Sequence, residues 1–143
     1  LRPIYENSVT LQDEANIQSL LERRFRVALH KMPISYQIDW LACRDDQAVA
    51  VIEYKRRHVK SSDYKTLVLS LKKWNAGLDY IRKNGLSFMF VAEWQDQIGW
   101  LSISDPAEVQ HFKIAYGGRT AKTRDSADVE PVVHIPVAAF RTL

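Results

Sequence analysis

The chain has 143 residues, 46% of them hydrophobic and 26% charged, with a net charge of +3. That suits one globular domain spanning residues 1–143 with one core. The charge is mildly basic, which is compatible with a polyanionic partner. A single cysteine, Cys43, excludes an intrachain disulfide framework, and no apolar run is long enough to span a bilayer.

Residues 1–8 read as an extended lead-in without a signal-peptide pattern. The chain opens on Leu1 rather than Met, which leaves room for a native start upstream. A helix is expected from about Val9 to Leu29, capped by Ser8 or Thr10, with Asp13 and Glu14 in its first turn. Leu11, Ala15, Leu21, Phe25, Ala28 and Leu29 form its apolar stripe. Glu14, Gln18 and Glu22 project into that stripe at the helical period. Two readings stand side by side: a flank paired with Arg23, Arg24 and Arg26, or a set of inward functional groups.

Ile34 to Ala42 and Ala48 to Lys55 read as strands. Arg44-Asp45-Asp46-Gln47 between them has turn chemistry, so an antiparallel hairpin is expected. The second strand is apolar on both faces until Glu53, as in an interior strand. A second helix is expected from a cap at Ser61, Ser62 or Asp63 to about Lys83, with Asn84-Gly85 as its stop. Tyr64, Leu67, Leu71, Trp74, Leu78 and Ile81 mark its apolar face. Leu86 to Trp94 and Gln97 to Ile103 follow as strands. Asp105-Pro106-Ala107-Glu108 opens a short helix to about Phe112. Gly117 to Glu130 reads as a polar loop, and Val132 to Ile135 as a last strand. Trp40, Trp74, Trp94 and Trp100 fall on apolar faces and are expected in the core. The natural packing of this order is α/β, a mixed sheet with helices on both sides.

Charges lie inside the two central strands. Glu53 and Lys55 alternate with Tyr54 and so share a face, and Asp39 sits on the neighbouring strand. Buried charges need a partner or a metal. Two carboxylates at a strand end offer hard oxygen ligands for Mg²⁺, and the Tyr54 carbonyl can add another. Glu14 or Glu22 from the first helix can complete the shell. Lys55 can orient or deprotonate an attacking water, or neutralise charge on phosphorus. Arg56, Arg57, Lys60, Lys65, Lys72, Lys73, Arg119, Lys122 and Arg124 supply cations for phosphate contacts, which are sequence-independent. A lone E-x-K is common by chance; the buried strand and the flanking helices make it more specific.

Asp39 followed by Glu53-Tyr54-Lys55 resembles the PD-(D/E)XK signature of the restriction-endonuclease-like superfamily. The pattern covers about residues 10–103 and is most similar to Holliday-junction-resolvase-like and VRR-NUC nucleases. Those groups carry a Glu on the first helix, often followed by Ile-Gln, and Glu14-Ala15-Asn16-Ile17-Gln18 matches that form. The resemblance implies a restriction-endonuclease-like mixed β-sheet core and a Mg²⁺- or Mn²⁺-dependent nuclease acting on DNA. The substrate would be duplex, branched or single-stranded. Asp39 and Glu53 would be metal ligands, Lys55 the catalytic lysine, and Glu14, ahead of Glu22, an auxiliary ligand. It also implies action in the cytoplasm or at the nucleoid, in a phage or a repair setting, no membrane partner, and homodimers as in many relatives. Two departures stand out. Ile38 occupies the position of the motif's Pro, and only two strands are evident before the second helix where the family has three; the third is either short, near Phe25 to Lys31, or absent. The alternative function, from another class, is a nucleic-acid-binding or interaction module that keeps the fold without turnover.

Overall fold

The computed structural model describes residues 8–118 and 129–143, with side chains for 14–117 and 129–143. Helix α1 covers Ser8–Phe25 and is followed by strand β1, Ala28–Lys31. The expected helix thus ends four residues early, and the short third strand exists. Arg26 terminates the helix. Its φ of 55° is left-handed, and the Val27 N–H reaches back to the Glu22 carbonyl at 3.2 Å. That is the hydrogen bond a glycine C-cap would make, hidden here behind an arginine. With the start at Ser8, no acidic residue lies in the first turn.

The polar residues on the inward face of α1 have a structural use. Gln18 Nε2 donates to the Leu29 carbonyl at 3.1 Å, and Glu22 Oε2 accepts the Leu29 N–H at 2.9 Å. The edge strand β1 therefore has backbone groups satisfied by helix side chains on its open side, and the edge is closed to another strand. The apolar contact comes from Ile17 and Leu21, both buried, while Ala15 and Ala28 are exposed.

Strands β2 (Trp40–Arg44) and β3 (Gln47–Arg56) form the expected antiparallel hairpin, but the first strand starts at Trp40 and not at Ile34, because Ile34–Tyr36 turns as a short 3₁₀ helix ended by a left-handed Gln37. Asp45 and Asp46 both have positive φ, the geometry of a tight two-residue hairpin turn, which Asp tolerates. The segment expected to begin the second helix divides in two. Thr66–Ser70 is strand β4, and helix α2 runs only over Leu71–Asn84. Leu67 and Leu69 alternate inward and β4 pairs antiparallel with β8, Val129–Pro136. The three-to-four spacing of Leu67, Leu71 and Trp74 mimicked a helix across this junction. Gly85 (φ 69°) closes α2 as expected, its N–H donating to the Ile81 carbonyl at 3.0 Å.

β5 (Ser87–Glu93) runs parallel to β3, and β6 (Ile98–Ile103) returns antiparallel to β5. Asp105 caps a short 3₁₀ turn at Pro106–Val109 with a reciprocal capping box, shorter than the expected helix. β7 (Ile114–Gly118) enters what was expected as loop, and β9 (Arg141–Thr142) joins β6. The main sheet has order β1-β2-β3-β5-β6-β9; a second sheet has order β4-β8-β7. This is the expected restriction-endonuclease-like mixed sheet, with the second sheet unforeseen.

Side-chain alternation divides the core. Ile52, Met89 and Val91 pack with Ile17, Leu21 and Trp40 on the α1 face. Val51, Phe88 and Phe90 pack with Trp74, Leu78 and the second sheet on the α2 face. Trp40, Trp74 and Trp94 are buried and Trp100 is partly so.

Candidate functional site

The hairpin register decides where the carboxylates meet. Trp40 pairs with Ile52, so one step outward along both strands brings Asp39 alongside Glu53. Asp39 lies just before β2, and its Oδ2 accepts the Tyr54 N–H at 2.8 Å. The carboxylate thus takes a donor that continued strand pairing would have used, which fixes its position at the strand end.

Glu53 is 2% exposed, the one charged residue buried among those described. Its Oε2 accepts from Lys73 Nζ at 3.1 Å. Its Oε1 is buried and has no hydrogen-bond partner. Burial pushes its carboxyl from the ordinary 4.5 up to about 8; the Asp39 carboxylate adds to the rise, by its charge and by a hydrogen bond that only the protonated Glu53 can donate to it, and Lys73 opposes these without overcoming them. A buried oxygen without a partner is costly. It is retained beside a second carboxylate, at the end of a strand whose other buried side chains are apolar.

Lys55 projects to the same face as Glu53. Its Nζ donates to the carbonyl of Val68 on β4 at 2.8 Å. Lys73 lies in the first turn of α2 with Lys72 just before it. Cations are disfavoured by the dipole at a helix N-terminus, so the pairing with Glu53 offsets an unfavourable location. Lys73 entered the sequence reading as a phosphate contact; its ion pair with Glu53 was not foreseen. The cause is the displaced start of α2, which left the direction of its first turn unreadable. A lysine three residues after a strand-to-helix junction is the signal that would have found it.

Glu14 lies on the opposite, α1 side of the sheet. Its Oε1 binds Lys31 Nζ at 2.9 Å, and the same ammonium is 3.8 Å from Asp39 Oδ1. Glu22 is engaged with the Leu29 backbone, as described above. Among the described residues, no three of His, Cys, Asp and Glu are grouped closely enough to hold a metal. The oxygen pair Asp39 and Glu53, with one Glu53 oxygen unsatisfied, nevertheless fits a hard divalent cation. Mg²⁺ binds through few protein carboxylates and keeps several waters, so two suffice.

Of the proposed phosphate contacts, Arg56, Lys60, Lys65 and Lys72 are exposed and Arg57 is half-buried. Arg119, Lys122 and Arg124 lie outside the described residues. Cys43 is a half-buried free thiol on β2. No helix is long and apolar enough to cross a membrane among the described residues.

Compared with families of known proteins, residues 1–143 match the family described as "Phage putative PDDEXK endonuclease". No curated protein matches the chain.

Proposed function

Since the chain belongs to this phage PDDEXK endonuclease family, we propose that it is a Mg²⁺- or Mn²⁺-dependent endonuclease that hydrolyses DNA phosphodiester bonds. The observation that carries the metal site is the buried Glu53 carboxyl set against Asp39, two oxygen ligands meeting at one strand end. Asp39, Glu53 and the Tyr54 carbonyl hold the ion. When bound, such an ion supplies Lewis-acid stabilisation of charge developing on phosphorus and acidifies a water.

The chain's own groups do the rest. The Tyr54 N–H orients Asp39 so that its carboxylate stays at the end of β3. Burial and Asp39 favour the protonated Glu53, and a divalent cation held here would favour its ionised form instead. Lys55, held at the Val68 carbonyl in this state, is the group that orients water or neutralises the scissile phosphate. Lys73 contacts Glu53 in this state, and with Lys72 it would be placed for a phosphate of the substrate if a divalent ion took its place at Glu53. Arg56, Lys60 and Lys65 extend the cationic surface along the DNA backbone. Such contacts select a phosphate chain and not a sequence. The DNA of a phage or its host in the cytoplasm is the corresponding substrate.

The test is cleavage of plasmid, branched and single-stranded DNA with Mg²⁺, Mn²⁺ or EDTA, for the wild type, Lys55→Ala and Glu53→Ala. Metal-dependent cleavage lost in both variants is expected. Cleavage that persists in EDTA, or in both variants, would refute the mechanism. Binding without turnover on every substrate would leave the non-catalytic module in its place.

A further inference from the structure

Lys31 closes the edge strand β1, opposite Trp40. Its ammonium is 2.9 Å from Glu14 Oε1, 3.8 Å from Asp39 Oδ1 and 5.9 Å from the centre of the Trp40 ring. Carboxylates from the helix and from the strand end therefore converge on one cation, with an aromatic face beside it.

Asp39 is used in two directions. Oδ2 faces the Tyr54 N–H, while Oδ1 faces Lys31. Glu53 lies on the α2 side and Glu14 on the α1 side, so the carboxylates form two adjoining pairs that share Asp39. The Asp39–Glu53 pair has a buried oxygen without a partner. The Asp39–Glu14 pair already holds a positive charge. We infer that Lys31 is a built-in cation standing in the place of a second divalent ion, so that the protein binds one metal ion, with Glu14 anchoring Lys31 instead of ligating metal. This rests on the metal site proposed above. It makes Lys31 a positioning residue: it neutralises the second carboxylate pair and faces Oδ1 of Asp39, while the Tyr54 N–H fixes Oδ2.

Removing the ammonium while keeping the stem leaves Glu14 and Asp39 as two carboxylates without the cation that now lies between them, which is a site for a divalent cation. Mn²⁺ is the probe, with bound ions counted by electron paramagnetic resonance and calorimetric titration. The wild type and Lys31→Arg are expected to bind one ion. Lys31→Met and Lys31→Gln are expected to bind two, and adding Glu14→Gln to Lys31→Met should return the count to one. Using both neutral variants guards against one of them failing to fold. A wild type that binds two ions, or neutral variants that stay at one, would overturn the inference while leaving the nuclease intact. A wild type that binds none would overturn the metal site itself.

Discussion

Replacing Glu53 by Gln should stabilise the metal-free protein while abolishing its response to metal. Burial and Asp39 move this carboxyl from 4.5 to about 8. At 1.36 kcal/mol per pH unit, the full gap is worth about 5 kcal/mol. The sign follows from proton counts. Between these pH values the native state keeps a proton that the unfolded chain has lost, so stability falls as pH rises. The contribution is fully present below pH 4.5 and is lost as pH rises through about 8. By linkage, Glu53 costs about 1 kcal/mol at pH 5, about 3 kcal/mol at pH 7 and about 5 kcal/mol at pH 9, relative to a neutral side chain. Gln has nearly the same shape and carries no charge. The assay is urea unfolding in EDTA at pH 5, 7 and 9, for the wild type and Glu53→Gln. Subtracting the two curves cancels every group that the two proteins share. The difference should grow by about 4 kcal/mol from pH 5 to pH 9 in favour of the variant. Saturating Mn²⁺ should then raise the melting temperature of the wild type and leave the variant unchanged. Stability curves that run parallel in pH, or a variant less stable than the wild type at pH 9, would refute the assignment of a strained, buried carboxyl.

Glu22→Ala should cost about 1–3 kcal/mol in urea unfolding, because the Leu29 N–H loses its acceptor, while metal binding is retained. Gly77→Ala places a methyl 2.4 Å from the Phe88 ring; with backbone on one side and a core ring on the other, a loss of about 3 kcal/mol or failure to fold is expected on thermal melting. Lys72→Ala, at an exposed position, should weaken DNA binding equally across sequences and lower the salt slope of log Kd by about 1, read by fluorescence anisotropy.

Much of the frame was legible because it is local. The Asp45-Asp46 turn, the doubly apolar β3, the Asp105 capping box and the Gly85 stop are each written within a few residues. The placement of Asp39 beside Glu53 did not follow from that turn: its register alone would set Asp39 opposite Ile52, and a bulge between Ala42 and Cys43 shifts the pairing by one residue to bring Asp39 to Glu53. Other parts had no local signature. Thr66–Ser70 carries both a two-residue and a helical spacing, and pairing with β8 from the far end of the chain decided between them. β1 was hidden because an arginine, not a glycine, adopts the left-handed conformation that ends α1.

The sequence alone determined that a Glu and a Lys share one face of an interior strand, with an Asp at the end of its neighbour. Alternation and turn chemistry depend only on nearby residues. Tertiary structure decided what those charges experience. Lys73 reaches Glu53 because α2 starts directly after β4. Lys31 reaches both Glu14 and Asp39 because β1 forms an edge beneath α1. The burial that lifts Glu53 to about 8 comes from elements far apart in the chain, and desolvation is a property of the assembled core.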